Sequence, residues 1–259
     1  MQSPHMSASQ TPPDHDRAGT RPCDLLDLTA PNLCHVMHDA ADPEASVVTY
    51  QSGAVRSFGQ IEQVIPCFTH GTLIATPLGE RPAETLAIGD RVQTRDNGVQ
   101  TIIWAGQKTM KTGDLRITPA MRPVMIRKGA LGDNLPERDM IVSPNHRMLV
   151  VSDAARQVFG DTEVLLPAKH MTAMDGIDVV DMAEVTFLHF MFANHEIVLS
   201  DGLWSESFQP SDLSLQGIDA GQRDELLLLF PELATSAGTA QYSAARRTLQ
   251  KSDSLLIAA

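Results

Sequence analysis

The chain has 259 residues, of which 42% are hydrophobic and 20% charged. That is enough apolar material for one sizeable domain with flanks, and it excludes a chain too polar to collapse. Lys and Arg number 20 against 32 Asp and Glu, a net charge of −12. The basic residues are scattered rather than patched, so neither a nucleic acid nor an anionic membrane is expected as a partner.

No unbroken apolar run exceeds five residues, against the roughly 20 that span a bilayer. The opening MQSPHMSASQ has neither the basic nor the apolar region of a cleavable signal peptide. A soluble protein is expected, in a compartment the sequence leaves unassigned. Residues 1–22 hold Pro4, Pro12, Pro13 and Pro22 among Ser, Asp and Gln and read as a disordered leader. Residues 23–66 form a short upstream segment without a core of its own. Leu25, Leu26 and Leu28 suit one helical turn there, and Val47, Val48 and Tyr50 a strand.

From Cys67 the texture changes to short β-type runs broken by Gly, Pro, Asp and Asn. Strands are predicted at 72–76, 91–95, 99–104, 140–142, 148–151, 164–166, 185–192 and 197–199. Asn97-Gly98 between two such runs is a hairpin signal. No amphipathic stretch of helical length separates the strands, which excludes a parallel α/β sheet. An all-β domain over 67–208 is the expectation. Residues 209–259 read as a partly helical tail, with helices over 221–229, ending at Phe230-Pro231, and over 244–256, where Leu249 and Leu255 stand among polar residues.

The chemistry-bearing residues are few. Cys23, Cys34 and Cys67 are too few for a disulfide scaffold, although Cys23 and Cys34 could bridge in a secreted protein. No Cys-x-x-Cys pair is present, and Cys34-His35-Met37-His38 lacks a second ligand set, so no metal and no cofactor are assigned. Cys67 is left over, directly before the strand at 72–76. Ser143-Pro144-Asn145-His146 places a hydroxyl three residues before an imidazole in a turn between apolar runs. His189 and His195 stand in and beside a strand-like segment. A single buried cysteine or histidine is commonly structural, but one thiol with several imidazoles supplies a nucleophile and acid–base groups.

These segments resemble the Hint (Hedgehog/intein) domain family. Cys67-Phe68 with Gly71-Thr72-Leu73-Ile74, Gly79 and Ile88-Gly89-Asp90-Arg91-Val92 is similar to its N-terminal block. Ser143 to His146 is similar to its Thr-x-x-His block, and His195 to Gly202 to its C-terminal block. Leu166 to His170, Leu203 to Phe208 and the tail resemble bacterial single-chain members of the group. The resemblance implies an all-β Hint-type fold in which the Cys67 sulfur attacks the carbonyl of Pro66, exchanging the amide for a thioester. It implies that His146 protonates the departing nitrogen, that Ser143 replaces a threonine holding the scissile group, and that His189 stands where inteins carry Asp or Cys. His195 belongs to the C-terminal block.

Two departures bear on the outcome. Glu206-Ser207 stands where inteins end in His-Asn, and serine cannot cyclise to a succinimide, so splicing is not expected. Pro66 before the scissile bond has a fixed φ and crowds the approach of sulfur. The expected function is therefore autoprocessing without splicing. Its substrate is the chain's own N-terminal segment, and water or a small nucleophile resolves the thioester. The alternatives are a non-catalytic Hint-fold interaction or secretion-associated module, and a Cys–His hydrolase acting on an external substrate.

Overall fold

The computed structural model describes residues 33–38, 46–50, 55–58 and 66–254. The leader expected over 1–22 and the helical turn expected at Leu25, Leu26 and Leu28 lie outside these residues. Strand β1 (Leu33–His38) was not foreseen. With β2 (Ser46–Tyr50), which matches the run at Val47 to Tyr50, and β3 (Val55–Phe58) it forms an antiparallel three-stranded sheet in sequence order.

The turn residues downstream of Cys67 punctuate strands as expected. β4 (Phe68–Thr69) is followed by β5 (Leu73–Thr76) and β6 (Gly79–Pro82), which pair across Pro77 and Leu78. β7 (Arg91–Gln93) and β8 (Val99–Thr101) form the Asn-Gly hairpin. There Gly98 takes φ +63°, a left-handed value that glycine adopts without a Cβ clash. The run predicted at 99–104 is broken at Ile102-Ile103, and β9 (Trp104–Lys111) continues well beyond it. After α1 (Thr112–Ile117) come β10 (Val124–Ile126), β11 (Met140–Val142), β12 (Arg147–Val151), α2 (Asp153–Phe159), β13 (Glu163–Pro167) and β14 (Ile177–Val179). β15 (Glu184–Met191), β16 (Ile197–Ser200) and β17 (Leu203–Glu206) complete the region expected to be β.

Two larger sheets result. One has the order β14-β10-β11-β4-β15-β9. In the other, β12, β17, β16, β5 and β6 follow β13. Phe68, Ile74, Val92, Ile102, Val142, Met148 and Val198 belong to one buried cluster joining strands of both sheets. The short β4 is hydrogen-bonded on both sides, to β11 through Phe68–Val142 and to β15 through Phe68–Leu188 and Thr69–Phe187. That double pairing fixes the residue immediately before it, Cys67, inside the fold.

The C-terminal region holds α3 (Asp212–Gly217), α4 (Ala220–Leu229), α5 (Ser236–Thr239), β18 (Arg247–Thr248) and α6 (Lys251–Ser254). α4 falls on the expected 221–229 and stops before Pro231. The helix expected over 244–256 is corrected. Arg247 and Thr248 are extended and pair in parallel with Val164 and Leu165 of β13, Leu249 is buried, and the described helix is confined to Lys251–Ser254. Covering the outer edge of β13 and burying Leu249 outweigh the weak local helix preference of the segment.

Candidate functional site around Cys67

Cys67 is held by the turn that the Ser143-Pro144-Asn145-His146 segment makes between β11 and β12. The Cys67 N–H donates to Ser143 Oγ at 3.0 Å, and the Ser143 N–H donates to the Cys67 carbonyl at 3.1 Å. The turn is closed by the His146 N–H, which donates to the Ser143 carbonyl at 3.0 Å. Ser143 and His146 are fully buried, and Cys67 is 1% exposed.

His189 reaches the same place from β15. Its Nε2 lies 3.9 Å from Cys67 Sγ and its Nδ1 lies 3.4 Å from the Pro66 carbonyl oxygen. Both contacts are at the long end of hydrogen bonding, as contacts that tighten only along a reaction commonly are. One tautomer serves both: with the proton on Nδ1, the ring donates to the carbonyl and presents a bare Nε2 to the thiol. The ring is walled by Trp104 and Phe208, with centroids at 6.5 and 5.9 Å. Gly106, paired with His189 across β9 and β15, makes room for this wall, since a Cβ there would stand 2.5 Å from the Trp104 ring.

His146 packs edge-on against Phe68 at 4.6 Å. Neither of its ring nitrogens has a hydrogen-bond partner among the described residues. Leaving a buried polar atom unpaired costs about 1–3 kcal/mol, so these two nitrogens call for a partner that the described side chains do not supply.

Burial dominates the electrostatics. It pushes the Cys67 thiol well above its ordinary value, with the Ser143 hydrogen bond pulling the other way. It depresses both His146 and His189 to about 4, so both imidazoles are neutral at pH 7 and able to accept a proton. The unfolded chain, with histidines near 6.5, takes up protons between pH 6.5 and 4 that the folded chain refuses, so stability falls as the pH falls through that window. Each depression of about 2.5 units corresponds to about 3 kcal/mol. A urea titration at pH 7 and at pH 4.5 should show a loss of several kcal/mol, reduced in His146→Gln. Equal stability at the two pH values would contradict the neutral buried state.

His195 stands apart from the thiol. Its Nδ1 accepts the Ala245 N–H at 3.0 Å, and its Nε2 faces Glu206 Oε2 at 3.2 Å. Glu206 is fully buried and also accepts the Arg147 N–H at 2.8 Å and Arg147 Nη1 at 3.0 Å. Burial pushes the Glu206 carboxyl up, but the Arg147 guanidinium and His195 outweigh it and hold the group below the ordinary carboxylate range. Ser207 Oγ accepts the Glu196 N–H at 2.9 Å, and its own N–H donates to the Glu196 carbonyl at 2.8 Å. The two residues at the His-Asn positions are thus an ion-pair anchor and a strand lock.

Of the five residues singled out from the sequence, Cys67, Ser143 and His189 meet at the Pro66–Cys67 peptide, and His146 lies beside them, in the Ser143 turn and against Phe68. His195 belongs to the adjoining ion cluster. Arg147, Trp104 and Ala245 were not foreseen, and Glu206 was singled out only as standing at a His-Asn position, not as an ion-pair partner. For Arg147 a signal existed, since it directly follows His146. Among the described residues no group of three or more His, Cys, Asp or Glu side chains could hold a metal ion, and no helix is long and apolar enough to cross a membrane.

A family profile described as the Hint domain matches residues 66–212. Among solved structures, the chain is similar to the solution structure of a bacterial intein-like domain from Clostridium thermocellum, at 13% identity and TM-score 0.35. That match covers 54% of this chain and 97% of the other. It is also similar to the gp41-1 intein, at 12% identity and TM-score 0.32, over 54% of this chain and 97% of the intein. No curated protein matches the chain.

Proposed function

Since the chain belongs to the Hint domain family, we propose that it processes itself at the Pro66–Cys67 bond by an N-to-S acyl shift, without splicing. The observation that carries this reading is the position of one peptide bond between two sets of groups. Its N–H donates to Ser143 Oγ, while its carbonyl oxygen and the attacking sulfur both face His189.

The step balances within these groups. His189 Nε2 takes the thiol proton as sulfur bonds to the Pro66 carbonyl carbon, and Nδ1–H steadies the oxygen as it gains charge. The carbon–nitrogen bond then breaks, and the departing nitrogen takes a proton to become the free α-amine of Cys67. His146, neutral, is the group we assign to relaying to that nitrogen the proton His189 took from the thiol: one imidazole nitrogen takes it up as the other releases one, so both histidines end the step neutral. Water subsequently attacks the thioester: a carbon–oxygen bond forms, the carbon–sulfur bond breaks, and sulfur regains a proton.

Glu206 and Ser207 support the absence of splicing. Neither can form a succinimide, and both are tied into the fold. An external substrate for a Cys–His hydrolase is disfavoured, because the carbonyl facing the thiol belongs to the chain itself and the thiol is 1% exposed. The non-catalytic alternative has one observation in its favour, the thiol held protonated by burial. Hydroxylamine at neutral pH decides between them, since it cleaves thioesters and leaves ordinary amides intact; cutting at the labile Asn97-Gly98 bond would give a fragment beginning at Gly98, which mass distinguishes. Intact mass after incubation with it should reveal a fragment beginning at Cys67. Only the uncut chain after days, with and without hydroxylamine or dithiothreitol, would sink the proposal.

A further inference from the structure

The family match ends at residue 212, but the chain stays on the domain. α3 and α4 lie beside β9, where Lys108 Nζ donates to the Gly217 carbonyl at 3.2 Å and Gln222 Nε2 donates to the Gln107 carbonyl. Leu215, Ile218, Leu226 and Leu233 bury themselves in the same apolar cluster as Cys67, Trp104 and Phe208. The return turn is close-fitting, since a Cβ on Gly238 would stand 1.8 Å from the Glu232 carbonyl oxygen.

The far end is latched onto the domain at several points. Gln209 Nε2 donates to the Tyr242 carbonyl at 2.9 Å, and the Ala245 N–H donates to His195. Arg246 binds Glu163 at 2.9 Å through Nε and Asp96 at 2.7 Å through Nη2. β18 then adds to β13 and Leu249 is buried.

We propose that residues 213–249 are a built-in cover of the Cys67 site, and that this cover slows the access of water and other small nucleophiles to the thioester. Resting on the acyl-transfer reading, the inference makes opening of the cover the step that limits thioester hydrolysis. A buried water is stable only with about two to four polar partners, and on the side covered by the tail Leu215, Ile218, Leu226 and Phe208 offer hydrocarbon and ring faces. Water therefore reaches the thioester carbon only when the leucine-bearing helices lift. The latch on His195 and β13 holds the other end of the segment and opposes that motion.

Alkylation of Cys67 by N-ethylmaleimide, followed site by site by peptide mass, tests the cover whether or not the thioester forms. In the full chain carrying Leu215→Ala and Leu226→Ala, alkylation of Cys67 should accelerate at least tenfold while the melting transition of the domain persists. Hydrolysis without added nucleophile should rise in the same proportion, with the hydroxylamine-released yield retained. Leu226→Asp, which places a charge in the seam, is the second variant. Alkylation within twofold of the parent in both variants overturns the cover, and so does acceleration only in step with loss of the whole domain. Faster alkylation with no hydroxylamine fragment from any of the proteins instead overturns the acyl-transfer reading on which the hydrolysis step rests.

Discussion

Cys67→Ala is expected to abolish the hydroxylamine-released fragment completely while the domain stays folded. The sulfur is the atom that forms the thioester, and a methyl group cannot replace it at any rate. Truncating one small buried side chain leaves a minor void, a cost of about 1–2 kcal/mol by analogy with other small core truncations. The hydrogen bonds that place the junction run through the Cys67 N–H and carbonyl, and alanine keeps both. Mass spectrometry and a thermal melt on the same preparation check the two halves. A Cys67→Ala protein still cut before residue 67 would assign the cleavage to an outside protease.

His189→Ala should be the next largest loss. Acid–base catalysis by a positioned side chain commonly contributes about 10²–10⁴-fold, and His189 also faces the carbonyl oxygen, so a fall of at least a hundredfold is expected. His146→Ala should cost about a hundredfold through the leaving nitrogen. Ser143→Ala should cost less, since it removes one acceptor from the N–H of the nitrogen whose bond to carbon is breaking. The pH profile separates a base from a structural histidine. With the thiol pushed up and His189 held at about 4, transfer from neutral thiol to neutral imidazole keeps the rate flat from about pH 5.5 to 8. Attack by preformed thiolate would instead climb about tenfold per pH unit over that range, because each unit below the thiol pKa costs a tenfold share of thiolate. A tenfold climb per unit, or a His189→Ala rate within threefold of the parent, would remove His189 as the base.

Much of the fold is legible in local pattern. Asn97-Gly98 announces its hairpin because a left-handed glycine and flanking alternation are properties of a few adjacent residues. The strands at 140–142, 164–166 and 185–192 show as apolar runs, and α4 ends where Pro231 requires it. β9 is the counterexample. Gly106, Gln107 and Lys108 show no strand pattern, yet pairing with all eight residues of β15 carries the strand to Lys111.

The tail shows the same limit from the other side. Its polar spacing around Leu249 reads as a helix, and only the exposed edge of β13 makes an extended segment the better use of those residues. For the site, the order of residues along the chain supplies the ingredients: a thiol before a strand, Ser143 three residues from His146, His189 within a strand, and residues that cannot form a succinimide at 206 and 207. Which of these meet was decided by tertiary structure. β4 pairs with β11 on one side and β15 on the other, bringing residues 76 and 122 positions from Cys67 into contact with it. Proton affinities were likewise outside the sequence's reach. The same imidazole titrates near 6.5 in water and near 4 where burial strips its hydration, and burial is a property of the packed whole.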